Sequence, residues 1–364
     1  MTDQYLTIDQ LPNRFVPFAG RECLFFSGTS YLGMSQNPAF QALVAEEMTR
    51  YGIAFGSSRN GNLRLRVYEE AEATLARWTS APDALTASSG MVAGQVVMNY
   101  LLTDSHTTFV YGPHAHPALW HETTVAAPTL PFTDWVAELP NQLAQVPDGP
   151  LVVALNAVDA GRSETYPFDW LTELPTNRPI TLVVDDSHGL GVGGDGTLRW
   201  GIWTELAKLV PASVRLIVTA SLAKAMGLPG GVILANSSTL AAIRQTSFFG
   251  GASPMAPAVL AAFIRAESLY TEAQQRLTRN VGLAEIVLRP TGLFRQQPGY
   301  PVFYTEHAEL YAHLLQHNII IYSFAYPTPL DKLNTRLVVS AFHEPADFER
   351  LGETLRSFEK GRAI

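Results

Sequence analysis

The chain has 364 residues, 47% of them apolar and 16% charged, which suits a globular fold with one large domain and a smaller one. A formal net charge of −8, with no Lys/Arg-rich block, argues against a nucleic-acid surface. The only cysteine, Cys23, excludes an intrachain disulfide and a thiolate metal centre, and no metal site is expected. Met1-Thr2-Asp3-Gln4-Tyr5 has no basic-then-apolar signal pattern, and no apolar run approaches the roughly 20 residues that span a bilayer. A soluble cytoplasmic protein is expected.

Residues 1–37 are read as an N-terminal segment that packs on the smaller domain. From about 38 to 236, helical patterns such as 68–79 and 91–102 alternate with short apolar runs at 107–111, 151–155, 180–185, 215–219 and 231–234. Each run is rich in Val, Ile or Leu and too short for a helix, as buried strands of a parallel sheet are. The alternation predicts βαβ units and an α/β fold whose large domain, 38–250, holds a doubly wound, mostly parallel sheet. Beyond the Gly/Ser/Pro stretch at 250–257, a helical pattern from 258 to about 287 leads to short strands (319–323, 336–340) and helices (307–317, 345–358). These predict a smaller α+β domain over 251–364. No internal repeat is present.

In open α/β sheets the chemistry collects beyond the carboxyl ends of the strands. The chain has four lysines: Lys208, Lys224, Lys332 and Lys360. Three read as solvated surface charges. Lys224 follows an apolar strand in Ser221-Leu222-Ala223-Lys224-Ala225-Met226-Gly227, with no neighbouring charge in sequence. A lysine desolvated there becomes a nucleophile for a carbonyl, whereas on a surface it would only snorkel. Val183-Val184-Asp185-Asp186-Ser187-His188 ends another strand. A carboxylate in that place can hold a protonated pyridine nitrogen, and His188 can bond the ring's 3-oxygen. Paired Asp residues could instead bind Mg²⁺, but no Walker loop lies upstream. Gly189-Leu190-Gly191-Val192-Gly193-Gly194 has dinucleotide-motif spacing, yet four polar residues separate it from the strand and no helical pattern follows. Ser88-Ser89-Gly90-Met91 precedes a helical pattern and offers amides to a phosphate, or else a simple cap.

Taken in chain order, these segments resemble the α-oxoamine synthases, a family of fold-type-I pyridoxal 5'-phosphate (PLP) enzymes that includes 8-amino-7-oxononanoate synthase and 2-amino-3-ketobutyrate CoA ligase. Ser30-Tyr31-Leu32-Gly33-Met34-Ser35 is similar to the family's Asn-Tyr-Leu-Gly-Leu-Ser. Gly56-Ser57-Ser58-Arg59-Asn60 resembles its Gly-Ser-Arg, Ser89-Gly90 its phosphate-binding Ser-Gly, and Asp185-Asp186-Ser187-His188 its Asp-Glu/Asp-Ala/Ser-His. Ser221-Leu222-Ala223-Lys224 is similar to Thr-Leu-Gly-Lys. Arg336-Leu337-Val338-Val339-Ser340-Ala341-Phe342-His343 is similar to Arg-Leu-x-x-(Ser/Thr)-Ala-x-His. The resemblance covers nearly the whole chain.

The resemblance implies an aminotransferase-type fold with PLP held by Lys224 as a Schiff base, Asp185 on the pyridinium and His188 on the 3-oxygen. It implies that Ser89, Gly90, Met91 and Ser221 hold the phosphate, with Ser253 reaching the partner's phosphate in a homodimer. His116 would stack on the ring, with His114 the alternative. Arg336 would clamp the amino-acid carboxylate, with Thr29 and Arg59 also on the substrate side. The sequence departs from the family at three segments: Gly28-Thr29-Ser30 replaces the segment with the family's Asn, the Ser-Gly-Phe-Ala-Ala-Asn run becomes Ser89-Gly90-Met91-Val92-Ala93-Gly94, and Ala154-Leu155-Asn156-Ala157-Val158-Asp159-Ala160-Gly161 lies where its Thr-Glu-Gly-x-Phe-Ser run is expected. The activity implied is decarboxylating C-acylation of an amino acid by an acyl-CoA. A plain aminotransferase is the alternative on the same fold, and a homologue without catalysis is the third reading.

Overall fold

The computed structural model describes residues 6–159, 162, 164–192, 200–325 and 333–362. Strands β1 (Phe15–Phe18) and β2 (Arg21–Phe26) open the chain, followed by α1 (Pro38–Tyr51) and α2 (Arg66–Thr79). Then come β3 (Asp83–Ala87), α3 (Gly90–Leu101), β4 (Thr108–Tyr111), α4 (Phe132–Gln145), β5 (Leu151–Asn156) and the short pair β6 (Val158–Asp159) and β7 (Glu164–Thr165). The middle of the chain continues with β8 (Ile180–Asp185), α5 (Trp203–Leu209), β9 (Val214–Ser221) and β10 (Gly231–Ala235). Helices α6 (Ser237–Arg244), α7 (Ser247–Gly251), α8 (Pro257–Arg265) and α9 (Glu267–Leu288) lead to β11 (Val302–Thr305), α10 (Glu309–Gln316), β12 (Ile319–Ala325), β13 (Leu333–Val338) and α11 (Pro345–Arg362).

One sheet runs β3-β10-β9-β8-β5-β4. Strands β4, β5, β8 and β9 are parallel, and β10 is antiparallel to both β9 and β3. Both faces are covered. Leu182 and Val184 of β8 enter one apolar cluster with Val153 and Leu155, while Val183 enters the cluster on the other face with Val152, Ala154 and Ile217. Burial on both faces is why these strands read as unbroken apolar runs.

A second sheet runs β1-β2-β12-β13-β11, so the N-terminal strands join the C-terminal ones; β2 is parallel to β12 with Leu24 opposite Ile319. Two expectations differ from the structure: the run at 231–234, read as a strand of a parallel sheet, is the antiparallel β10, and one long helical pattern is broken. The helical pattern at 258–287 is two helices, with Ala266 leaving helical geometry between α8 and α9 (φ −101°, ψ 14°). No Gly or Pro marks that break, which lets α8 pack on α1 and α2 while α9 meets α11. Strand β3 had no signal in Ala-Leu-Thr-Ala, whose alanines have low strand preference. Its place is set by pairing with β10.

Candidate active site

The register aligns the carboxyl ends of the parallel strands: Asn156 of β5 lies opposite Asp185 of β8, which lies opposite Thr219 of β9. Strand β9 runs two residues past Thr219 and turns back into β10 through a closed loop. In it Leu222 N–H donates to the Gly230 carbonyl (2.9 Å), Leu228 N–H to Leu222 (2.9 Å) and Gly227 N–H to Lys224 (3.2 Å). Buried Ala225 and Met226 anchor the loop, and Tyr270 Oη donates to the Met226 carbonyl at 2.7 Å. Lys224 is thereby held, half-buried, beyond the sheet edge. Burial lowers its pKa to about 8; Asp185 opposes the shift and Arg336 adds to it.

Asp185 is buried, with Oδ1 accepting Ser187 N–H at 2.8 Å. Ser187 Oγ in turn accepts Ser221 N–H at 2.8 Å, tying the ends of β8 and β9 together. Asp186 turns elsewhere: its Oδ2 accepts Ile202 N–H at 2.9 Å. Burial raises that carboxyl to about 7. Among the described residues no group of three or more His, Cys, Asp or Glu side chains could hold a metal ion. Among the described residues the first helix after Gly189–191 is α5, which begins at Trp203; Gly193 and Gly194 lie outside the described residues.

The loop after β4 carries the two histidines. His114 is left-handed (φ 52°), a conformation few non-glycine residues adopt. Asn156 staples this loop to the sheet, its Nδ2 donating to the His114 carbonyl at 2.8 Å and its Oδ1 accepting His116 N–H at 3.1 Å. The two rings part company. His116 is pushed below its ordinary pKa by burial, with Asp185 opposing and Lys224 reinforcing, so it stands in the Lys224–Asp185 cluster. Its Nδ1 accepts Ala118 N–H at 3.1 Å. His114 is also lowered by burial, but the charges acting on it are Asp159, Arg162 and Glu164, on the side of β6 and β7.

His188 is pushed well below its ordinary pKa by burial and by Lys224, Arg336 and His116. Its Nδ1 lies 2.9 Å from Tyr31 Oη, and Tyr300 Oη donates to its carbonyl at 3.3 Å. Arg336, buried on β13 of the second sheet, lies over the Tyr322 ring at 4.2 Å. Its charge is felt at Lys224, His188, Tyr31 and Tyr300.

Ser89 is the N-cap of α3, its Oγ accepting Val92 N–H at 3.1 Å. A helix leaves its first amides without intrahelical acceptors, here those of Gly90 and Met91. This helix end abuts the end of β9. A Cβ on Gly90 would stand 2.6 Å from Ser221 Cβ, and one on Gly231 2.3 Å from the Ser89 carbonyl. Ser89, Gly90 and Ser221 thus form one tight cradle three residues from Lys224. The Met91 side chain itself is exposed, so only its amide serves the cradle. The residues fit an anionic phosphate at the amides and a pyridinium at Asp185.

Among the described residues, the side chains of the other expected residues make no hydrogen bond to this cluster. Arg59 is buried, with NH1 and NH2 donating to the two Glu72 oxygens (2.9 and 3.1 Å), and NH1 also to Thr86 Oγ1 (3.1 Å). That pairing commits it to a structural network with Arg244. Thr29 lies two residues before Tyr31, with its carbonyl accepting Tyr31 N–H, and Ser253 is exposed between α7 and α8. Lys208 and Lys360 are exposed, and Lys332 lies outside the described residues. Tyr300 and Tyr322 went unremarked in the sequence because they have no pattern of their own; Tyr31 sat in a quoted motif without a role.

Comparison with known proteins identifies the family and the fold. The family model for aminotransferase class I and II matches residues 21–355. An 8-amino-7-oxononanoate synthase from Thiobacillus denitrificans is 27% identical over 373 residues, covering 96% of this chain and 92% of its own. A solved structure of SPT with PLP superposes with a TM-score of 0.82 at 19% identity, covering 99% and 92% of the two chains. An 8-amino-7-oxononanoate synthase from Francisella tularensis gives 0.67 at 18%, covering 94% and 99%. The chain therefore belongs to the aminotransferase class I and II family and is a PLP-dependent transferase with the fold-type-I architecture.

Proposed function

We propose that the protein is an α-oxoamine synthase-type enzyme that joins an α-amino acid to an acyl-CoA with loss of CO₂. The observation that carries this reading is the meeting of Lys224, Asp185, His116 and His188 with Arg336, which arrives from the other sheet. The full-length similarity to 8-amino-7-oxononanoate synthases supports the choice among PLP reactions.

Bound PLP supplies an electron sink for charge that develops at the amino-acid α-carbon. The chain does the rest. With a pKa near 8, about one Lys224 amine in ten is neutral at pH 7, so the nucleophile for the cofactor's carbonyl is at hand. Asp185 keeps Oδ1 on the Ser187 amide, which orients its carboxylate toward the pyridinium. His116 would cover one ring face and His188 would donate to the ring oxygen. The amides of Gly90 and Met91 with the Ser89 and Ser221 hydroxyls would hold the phosphate. Arg336 receives the substrate carboxylate in a two-pronged contact. With the amino acid bound, the freed Lys224 amine would take the α-proton. Bonding of the α-carbon to the thioester carbonyl would expel CoA as thiolate, which takes a proton from water, and loss of the carboxylate as CO₂ would be matched by return of the Lys224 proton to the α-carbon. In a two-fold dimer the exposed Ser253 would reach the partner's phosphate, as the family resemblance implies.

The test supplies small α-amino acids and then acyl-CoA thioesters of graded chain length. Free CoA thiol and CO₂ released in equal amounts support the reading. Conversion of the cofactor to pyridoxamine phosphate, reversed by a keto acid and with no thiol released, identifies an aminotransferase instead.

A further inference from the structure

Tyr31 is fully buried, and its backbone is pinned to the chain beyond β13 by Ala341 N–H, which donates to the Tyr31 carbonyl at 2.8 Å. Its hydroxyl meets Nδ1 of His188 at 2.9 Å, while the buried Tyr300 grips the His188 carbonyl. Among the described residues, the hydrogen bonds of the His188 ring end at Tyr31. Nε2 is left for a ligand, within reach of the positive charge of Lys224 and Arg336.

Two proton arrangements fit a 2.9 Å contact between a phenol and an imidazole. In one, Tyr31 donates to Nδ1 and Nε2 carries the ring proton. In the other, Nδ1–H donates to Tyr31 and Nε2 presents a lone pair. The surroundings separate them. Burial and the neighbouring cations hold His188 neutral, so one ring nitrogen is bare. Burial keeps the proton on Tyr31; the Tyr300 hydroxyl, also beside it, acts on Tyr31 as a donor, which leaves bare Nδ1 as the acceptor for the Tyr31 proton. Lys224 and Arg336 make the space at Nε2 one that attracts an anionic oxygen, which a lone pair would repel and an N–H would bind. We propose that Tyr31 is a positioning residue whose hydroxyl donates to Nδ1 and holds His188 as the Nε2–H tautomer, its N–H offered to the cofactor's ring oxygen. The direction toward the ring oxygen rests on the PLP reading above; the tautomer does not.

The experiment reads the tautomer first. ¹⁵N-histidine-labelled full-length protein, with and without PLP, is examined by long-range ¹⁵N–¹H correlation, with His188 assigned through the His188→Gln variant. Bare Nδ1 and protonated Nε2 are expected in both states; a protonated Nδ1 overturns the proposal. PLP affinity is then measured by visible absorbance for Tyr31→Phe, His188→Gln and the double variant. Tyr31→Phe should weaken binding by roughly three- to thirtyfold, the equivalent of one buried hydrogen bond. In the His188→Gln background that effect should vanish, whereas a merely structural tyrosine would keep it. An undiminished effect in the double variant refutes positioning through His188. Wild-type protein that binds no PLP would overturn the cofactor reading and, with it, the ring-oxygen half of the proposal, while the tautomer spectrum still decides the Tyr31–His188 half.

Discussion

Gly90→Ala puts the phosphate cradle under direct strain. The added Cβ would stand 2.6 Å from Ser221 Cβ and 2.8 Å from Ser221 Cα, roughly 1 Å inside ordinary carbon–carbon contact. Both obstacles are at the backbone or its first side-chain carbon, so no rotamer change relieves them. The first turn of α3 must therefore move away from β9, carrying the Gly90 and Met91 amides with it. Alanine at this first helical position recovers up to about 1 kcal/mol of chain entropy, against about 1–3 kcal/mol for overpacking. Folding stability should fall only modestly. Cofactor affinity should fall much more, because displacing one charge-assisted amide–phosphate bond costs about 1.5–3 kcal/mol, roughly ten- to a hundredfold in Kd. Absorbance titration of apo-protein with PLP measures this. Gly282→Ala, whose Cβ meets nothing within 4 Å, is the control and should leave Kd unchanged. If Gly90→Ala binds PLP like the wild type, the phosphate is not held at this helix end.

Arg336→Lys should weaken the amino-acid-induced spectral response by about ten- to a hundredfold, for loss of a two-pronged contact worth about 1.5–3 kcal/mol, while PLP affinity changes little; equal loss of both would remove Arg336 from the carboxylate. Asp185→Asn keeps an acceptor for Ser187 N–H, so folding and PLP binding should persist. Exchange of the amino-acid α-hydrogen should drop by about 10²-fold or more, since the pyridine nitrogen loses its counter-charge; near-wild-type exchange would move that role elsewhere. Burial lowers the His343 pKa to about 4. Between pH 6.5 and 4 the unfolded chain therefore binds the extra proton there, so its share of stability, on the order of 3 kcal/mol, is present above pH 6.5 and lost as pH falls to 4. Urea unfolding at pH 7 and 5 should show a smaller drop in His343→Asn than in the wild type; equal drops would contradict this.

Strands β5 and β8 were legible because burial on both sheet faces forces unbroken apolar runs, and the polar residues that end them therefore stood out. Lys224 and Asp185 were found that way, and their nearness follows from register between strands far apart in sequence. The choice between His114 and His116 was not legible. Two residues apart in one loop, they are separated only by the left-handed turn at His114 and by the Asn156 staple. Arg59 looked like a substrate residue, yet its partner Glu72 lies thirteen positions on, at a distance no local pattern reports. The antiparallel direction of β10 and the helix break at Ala266 are likewise set by tertiary contact. Tyr300 comes from irregular chain before β11, where no periodicity exists to flag a buried hydroxyl.

The claim on which everything else depends is that Lys224 carries the cofactor, and borohydride reduction of purified protein tests it most directly. The chain has only four lysines, so a peptide map is unambiguous. Pyridoxyl mass on Lys224 alone is the expected result, with Lys224→Ala binding PLP only reversibly. Label on Lys208, Lys332 or Lys360, or on none of the four, would contradict it.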